Sequence, residues 1–165
     1  MFDTLGGVAA HPLFVHIPVV LVPLAAIGVV LVALRPSWFM RYGAIVTVLA
    51  GIGFIGSAIA ANTGEQLQEH LLSTGQSPSA ALQDHVDRGD QVPIYAGVFF
   101  MLTLAWVLFA WWRRRKGEDV ATAKVRKPRA VHAVLALLAV VSGIVATVTV
   151  TQAGHSGAAS VWHKK

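Results

Sequence analysis

Four apolar stretches, at about residues 12–34, 42–61, 92–112 and 131–153, each come close to the ~20 residues that a helix needs to cross ~30 Å of hydrocarbon. In lipid every backbone N–H and C=O has to be satisfied inside the protein, so a continuous run of this length is a helix and not an open strand. The expected fold is all-α: a polytopic membrane protein in which residues 1–165 form one up-down-up-down four-helix transmembrane bundle. Only 13% of the residues are charged, well below the ~25% usual for soluble domains, and the charges are segregated between the apolar runs. The opening MFDTLGGVAA carries no basic residue, so the first run reads as a retained helix and not as a cleaved signal.

Orientation follows from lysine and arginine in the short connections. The first connection holds Arg35 and Arg41, and the third, WRRRKGEDVATAKVRKPRA, is dense in both. The central connection has Arg88 against Glu65, Glu69, Asp84, Asp87 and Asp90. This asymmetry predicts basic loops in the cytoplasm of a cell membrane, with both termini and the acidic loop outside. The net charge of +5 is thereby explained by topology and by contact with lipid head groups, and nucleic acid is not an expected partner. The chain has no cysteine, which excludes disulfides, cysteine-ligated iron–sulfur clusters and covalent haem attachment through C-x-x-C-H.

The long outer connection, residues 63–91, reads as two short amphipathic helices broken near Thr74 to Pro78, with Ser77 or Ser79 capping the second. GIGFIG, residues 51–56, has the spacing G-x-G-x-x-G, but it lies within an apolar helix and lacks the strand that a nucleotide site requires. Gly51, Gly53 and Gly56 are expected to form a helix contact face, with a flat cofactor against bare backbone as the alternative. Trp38, Tyr42, Trp106, Trp111 and Trp112 resemble an interfacial belt.

Seven histidines carry the remaining chemistry: His11, His16, His70, His85, His132, His155 and His163. An ionisable residue within a span is a functional candidate. His16 is expected about 6 Å into the first helix and facing the bundle, whereas His11 lies at the surface; the two are about 140° apart around the helix and share no face. Pro18 and Pro23 each free a carbonyl four residues earlier, which bends the helix or opens it for a ligand. His155 is flanked by Gly154 and Gly157, with Gln152 and Ser156 as hydrogen-bonding neighbours. His85 lies among Asp84, Asp87 and Asp90. His70 and His163 read as loop and tail, and His132 as interfacial.

HPLFVHIPVVLVPLA resembles the H-P-x-x-V-H-F-P-I-A-L opening of the membrane family called domain of unknown function 2231. GSAIAANTGE, His85 followed by Gly89, and AGHSGAASVW resemble later parts of the same pattern. Ile17 replaces a phenylalanine, and Ala158 replaces the second glycine of the closing pair. The resemblance implies His11, His16, His85 and His155 as the family's histidines. Members can be fused to cytochrome c or iron–sulfur domains, which implies redox work.

Three functions fit this reading. The first is a redox protein binding haem b through His16 and His155 or His85, with His11, Gly154 and Gly157 around the site, and passing electrons to an outer-side protein or a quinone. The second is a copper or zinc site built from His16, His85 and His155. The third is an accessory subunit or scaffold without a cofactor, within a homo-oligomer or a larger membrane complex. No nucleophile–base arrangement is visible, so an electron carrier or accessory subunit is expected over a catalyst.

Overall fold

A computed structural model describes residues 4–5, 8–75, 77, 79–117 and 126–162. A two-residue antiparallel ladder, β1 (Thr4–Leu5) with β2 (Val8–Ala9), precedes six helices. These are α1 (Ala10–Phe14), α2 (His16–Leu34), α3 (Pro36–Ser73), α4 (Ala80–Gly89), α5 (Val92–Arg115) and α6 (Arg126–Trp162). Among the described residues, four helical segments are long and apolar enough to cross a membrane: His11–Leu34, Pro36–Ser73, Ala80–Arg115 and Arg129–Ala159.

Local chemistry sets several boundaries. The interruption between α1 and α2 falls at Val15, shortly before Pro18, whose missing N–H leaves the carbonyl of Phe14 without its helical donor. Pro23 is accommodated inside α2. Pro36 opens α3 at a position where the absent N–H costs nothing. Past Thr74, the cap of α3, Gly75 takes φ +78°, the left-handed conformation that ends helices and that glycine adopts freely. Ser79 caps α4, its hydroxyl accepting the Leu82 N–H at 3.2 Å. The sequence predicts two short helices across residues 63–91; instead the first is the continuation of α3 to Ser73. The loss of apolar character at Asn62 does not end the helix.

Neighbouring helices run antiparallel. On α3, Gly53 lies against Val22 and Gly56 against Ile17 of α2, while Gly51 receives Phe100 and Gly43 receives Val107 of α5. On α6, Gly143 receives Phe99 of α5 and Ala26 of α2. Each helix of the bundle therefore packs on two others, α2 and α5 both lying between α3 and α6. The expected glycine contact face is present, and GIGFIG is filled by Phe100, Val22 and Ile17. The core consists of Val22, Ala25, Val29, Ala50, Ala96, Phe99, Trp106, Ala139 and their neighbours.

The arginine-rich end carries the aromatic girdle. Arg115 lies 3.6 Å over the Trp111 ring, Lys116 4.0 Å over Trp112 and Arg35 5.1 Å over Trp38. Trp106 departs from the expected belt. It is buried, and its indole N–H donates to His132 Nδ1 at 3.2 Å, with both rings against Phe39. The buried residues of α5, Phe99, Thr103, Trp106 and Ala110, follow helical spacing, and Trp106 belongs to that inward face.

Candidate functional site: a histidine pair held by two helix carbonyls

At the end of the bundle opposite the arginines, α1 rests on α3 and α4 rests on α6. His11 of α1 and His85 of α4 meet across the gap, ring centroids 6.0 Å apart and planes at 72°. Both are partly buried.

Each ring is fixed from behind. His11 Nδ1–H donates to the Ala60 carbonyl at 2.8 Å, and His85 Nδ1–H donates to the Ala153 carbonyl at 3.1 Å, with Ser156 Oγ 3.3 Å away. A carbonyl only accepts, so the proton of each neutral ring is held on Nδ1 and the lone pair falls on Nε2. The same two carbonyls also accept a hydroxyl from the next turn: Thr63 Oγ1 to Ala60 at 3.0 Å and Ser156 Oγ to Ala153 at 3.0 Å. A backbone acceptor behind each imidazole is the support that metal-ligating histidines commonly have.

Glycines admit the rings. A Cβ on Gly64 would lie 3.1 Å from the His11 ring, and one on Gly157 would lie 2.8 Å from His85 Cε1. Larger residues at either position would push the imidazole off its carbonyl.

The other candidates lie elsewhere. His16, expected to face the interior, is exposed, and its Nδ1–H donates to the Pro12 carbonyl one turn earlier at 2.6 Å. The cause is helical phase. The buried face of α2 is Pro18, Val22, Ala25, Val29 and Val32, and His16 precedes Pro18 by two residues, about 200° around the helix. His11 precedes Pro18 by seven residues, close to two full turns, so the inward imidazole is His11. His155 is exposed on α6, and Gly154 meets only Val19. His16 and His155 are therefore not brought together with His85. Gly157 and Ser156, chosen for their nearness to His155, contact His85 instead.

Ala60, Thr63, Gly64 and Ala153 were not singled out from the sequence. Their contribution is a main-chain oxygen, a hydroxyl or a missing Cβ, and no side-chain pattern announces these. Among the described residues no three histidines or acids converge on a metal position. A cleft of about 450 Å³, lined by Asp84, Asp87, Arg88, Gln91, Tyr95, Val145, Thr149 and Gln152, lies beside α4 and holds neither histidine of the pair. Hydroxyls deeper in the bundle are satisfied within their own helices, as in Thr47 to Gly43, Thr103 to Phe99 and Thr147 to Gly143.

No curated protein and no solved structure matches the sequence. A family described as predicted membrane protein (DUF2231) matches residues 7–165, nearly the whole chain, and the chain belongs to that family.

Proposed function

We propose that the protein is a membrane redox carrier that binds haem b between His11 and His85. The observation supporting this is the pair itself: two imidazoles with ring centroids 6.0 Å apart, each with Nδ1–H spent on a carbonyl and Nε2 left to bind a ligand. Two imidazoles on opposite sides of one metal, each with a metal–nitrogen bond of about 2.0 Å, have centroids separated by roughly 6 Å.

The donor set also favours haem over a bare ion. A structural zinc site takes four ligands and a catalytic one three, and a dipositive ion held by two neutral rings would keep its charge in a poor solvent for it. Haem brings four nitrogens and two negative charges of its own and asks the protein for two axial ligands. The two histidines come from separate helices, α1 and α4, which have no extended contact with each other. Haem would supply reversible one-electron chemistry there; His11 and His85 would hold it, their rings oriented by the Ala60 and Ala153 carbonyls. The arginine-rich loops at the other end favour an orientation with the histidines outside the cell membrane, facing an electron-transfer protein or a quinone.

The test is an absorption spectrum of the purified protein, oxidised and reduced, followed by titration with haemin. A low-spin, bis-imidazole spectrum that saturates one-to-one is expected. Absence of copurifying haem together with no stoichiometric uptake would overturn the proposal, and elemental analysis would then separate a copper or zinc site from a scaffold without cofactor.

A further inference from the structure

Many buried positions of the two halves correspond. The buried positions of α2, namely Pro18, Val22, Ala25, Val29 and Val32, recur at one constant spacing on α5 as Val92, Ala96, Phe99, Thr103 and Trp106. The same spacing carries His11 onto His85. A second constant spacing carries Val46, Ala50, Gly53, Ser57, Ala60 and Thr63 of α3 onto Ala139, Gly143, Ala146, Val150, Ala153 and Ser156 of α6, all of them buried. It also carries Gly64 onto Gly157. The hydrogen bonds follow: His11 to Ala60 with Thr63 behind it corresponds to His85 to Ala153 with Ser156 behind it.

In a two-fold arrangement a residue touches its own counterpart only near the axis. Among the described residues two ring contacts are of this kind, at opposite ends of the bundle. His11 meets His85 at one end, and Phe39 meets His132, its counterpart on α6, at the other, with centroids 5.2 Å apart. The line between these contacts runs along the bundle, and α2 and α5 run in the same direction on either side of it.

We infer that the chain is two copies of one helical hairpin related by a two-fold axis along the bundle, and that the ligand of the His11–His85 pair binds on this axis, drawing equally on one histidine–carbonyl–glycine unit from each copy. The inference rests on the proposed ligand pair and adds the equivalence of its two halves. It also separates the histidines of the family pattern. The counterpart of His16 is Asp90 and that of His155 is Asn62, so neither has a partner imidazole across the axis. The ligand class is a group that takes two equivalent imidazoles on opposite faces, and an asymmetric chelate of three or four different side chains does not fit it.

Two measurements test this. First, with haemin as the probe, His11→Ala and His85→Ala should weaken binding to the same degree, within about threefold, and Gly64→Ala and Gly157→Ala should each weaken it by about 10–100-fold, the usual loss when the support behind a metal-bound histidine is disturbed. Haem binding that depends on only one member of either matched pair would overturn the inference while leaving haem binding itself intact. Second, because the chain lacks cysteine, the double variants His11→Cys/His85→Cys and Phe39→Cys/His132→Cys can be treated in membranes with a short bis-maleimide. Intrachain cross-linking of both pairs is expected. Failure of either matched pair would overturn the axis whatever the haem result. Cross-linking without any haem uptake would retain the axis and remove the haem reading.

Discussion

Replacing Gly157 by alanine adds a single methyl group, yet it should damage the site, while the same replacement at Gly154, on the same helix, should not. At Gly157 the new Cβ would lie 2.8 Å from His85 Cε1, where ordinary carbon–carbon contact needs about 3.5 Å, so the ring has to retreat by roughly 0.7 Å. That retreat stretches the bonds to Ala153 and Ser156, now 3.1 and 3.3 Å, beyond useful length. Overpacking costs about 1–3 kcal/mol and each lost hydrogen bond about 0.5–1.5 kcal/mol, against about 1 kcal/mol gained because alanine is the better helix former. The net expectation is a loss of about 1–5 kcal/mol. At Gly154 the Cβ meets only Val19, at 3.8 Å, an ordinary contact, so the helix-propensity gain of up to about 1 kcal/mol stands alone. Thermal unfolding in detergent, followed by circular dichroism, should place the Gly157→Ala midpoint several degrees below that of the unmodified chain, and Gly154→Ala at or slightly above it. Equal midpoints for the two variants would refute the packing of His85 against α6.

Other expectations follow from the same geometry. Trp106→Phe keeps most of the buried ring but removes the donor to His132 Nδ1, and should cost about 1 kcal/mol in chemical or thermal unfolding; Trp106→Ala should cost about 3–5 kcal/mol. Ser79→Ala deletes the cap of α4 at a cost of about 1 kcal/mol, confined to α4, so hydrogen exchange should accelerate there and leave α3 unchanged. Cysteines placed singly at Ser73 and Gly117 should react with a membrane-impermeant maleimide from opposite sides of the membrane, Ser73→Cys from outside; labelling from one side only would contradict the proposed orientation.

The existence of four long apolar helices was legible because lipid leaves a chain of this composition few alternatives. Which face each helix turns inward was not. The first span is apolar all round, so nothing in its pattern of hydrophobicity distinguishes the side of His11 from that of His16; only the inward phase of Pro18, Val22 and Ala25 does, and that is known once the helices are packed. The end of α3 was misplaced because polarity reports the membrane surface, whereas Gly75 reports the helix end. The relation between the two halves is hidden for a physical reason: counterpart positions complement each other in size instead of repeating it. Ala26 corresponds to Phe100, Ala25 to Phe99 and Gly53 to Ala146, so one interface is filled by a large ring where its equivalent is filled by closer backbones. The resemblance that implies His11, His16, His85 and His155 includes both members of the structural pair, but sequence alone offers no way to pair them, since the partners lie on separate halves and are held by backbone oxygens of α3 and α6.

The pairing of His11 with His85 is tested most directly by haemin titration of four single variants, monitored by the low-spin absorption spectrum. His11→Ala and His85→Ala should each abolish the bis-imidazole signature, and His16→Ala and His155→Ala should leave both its shape and its one-to-one stoichiometry intact. A signature that survives loss of His11 or His85, or disappears with His16 or His155, would contradict the site described here.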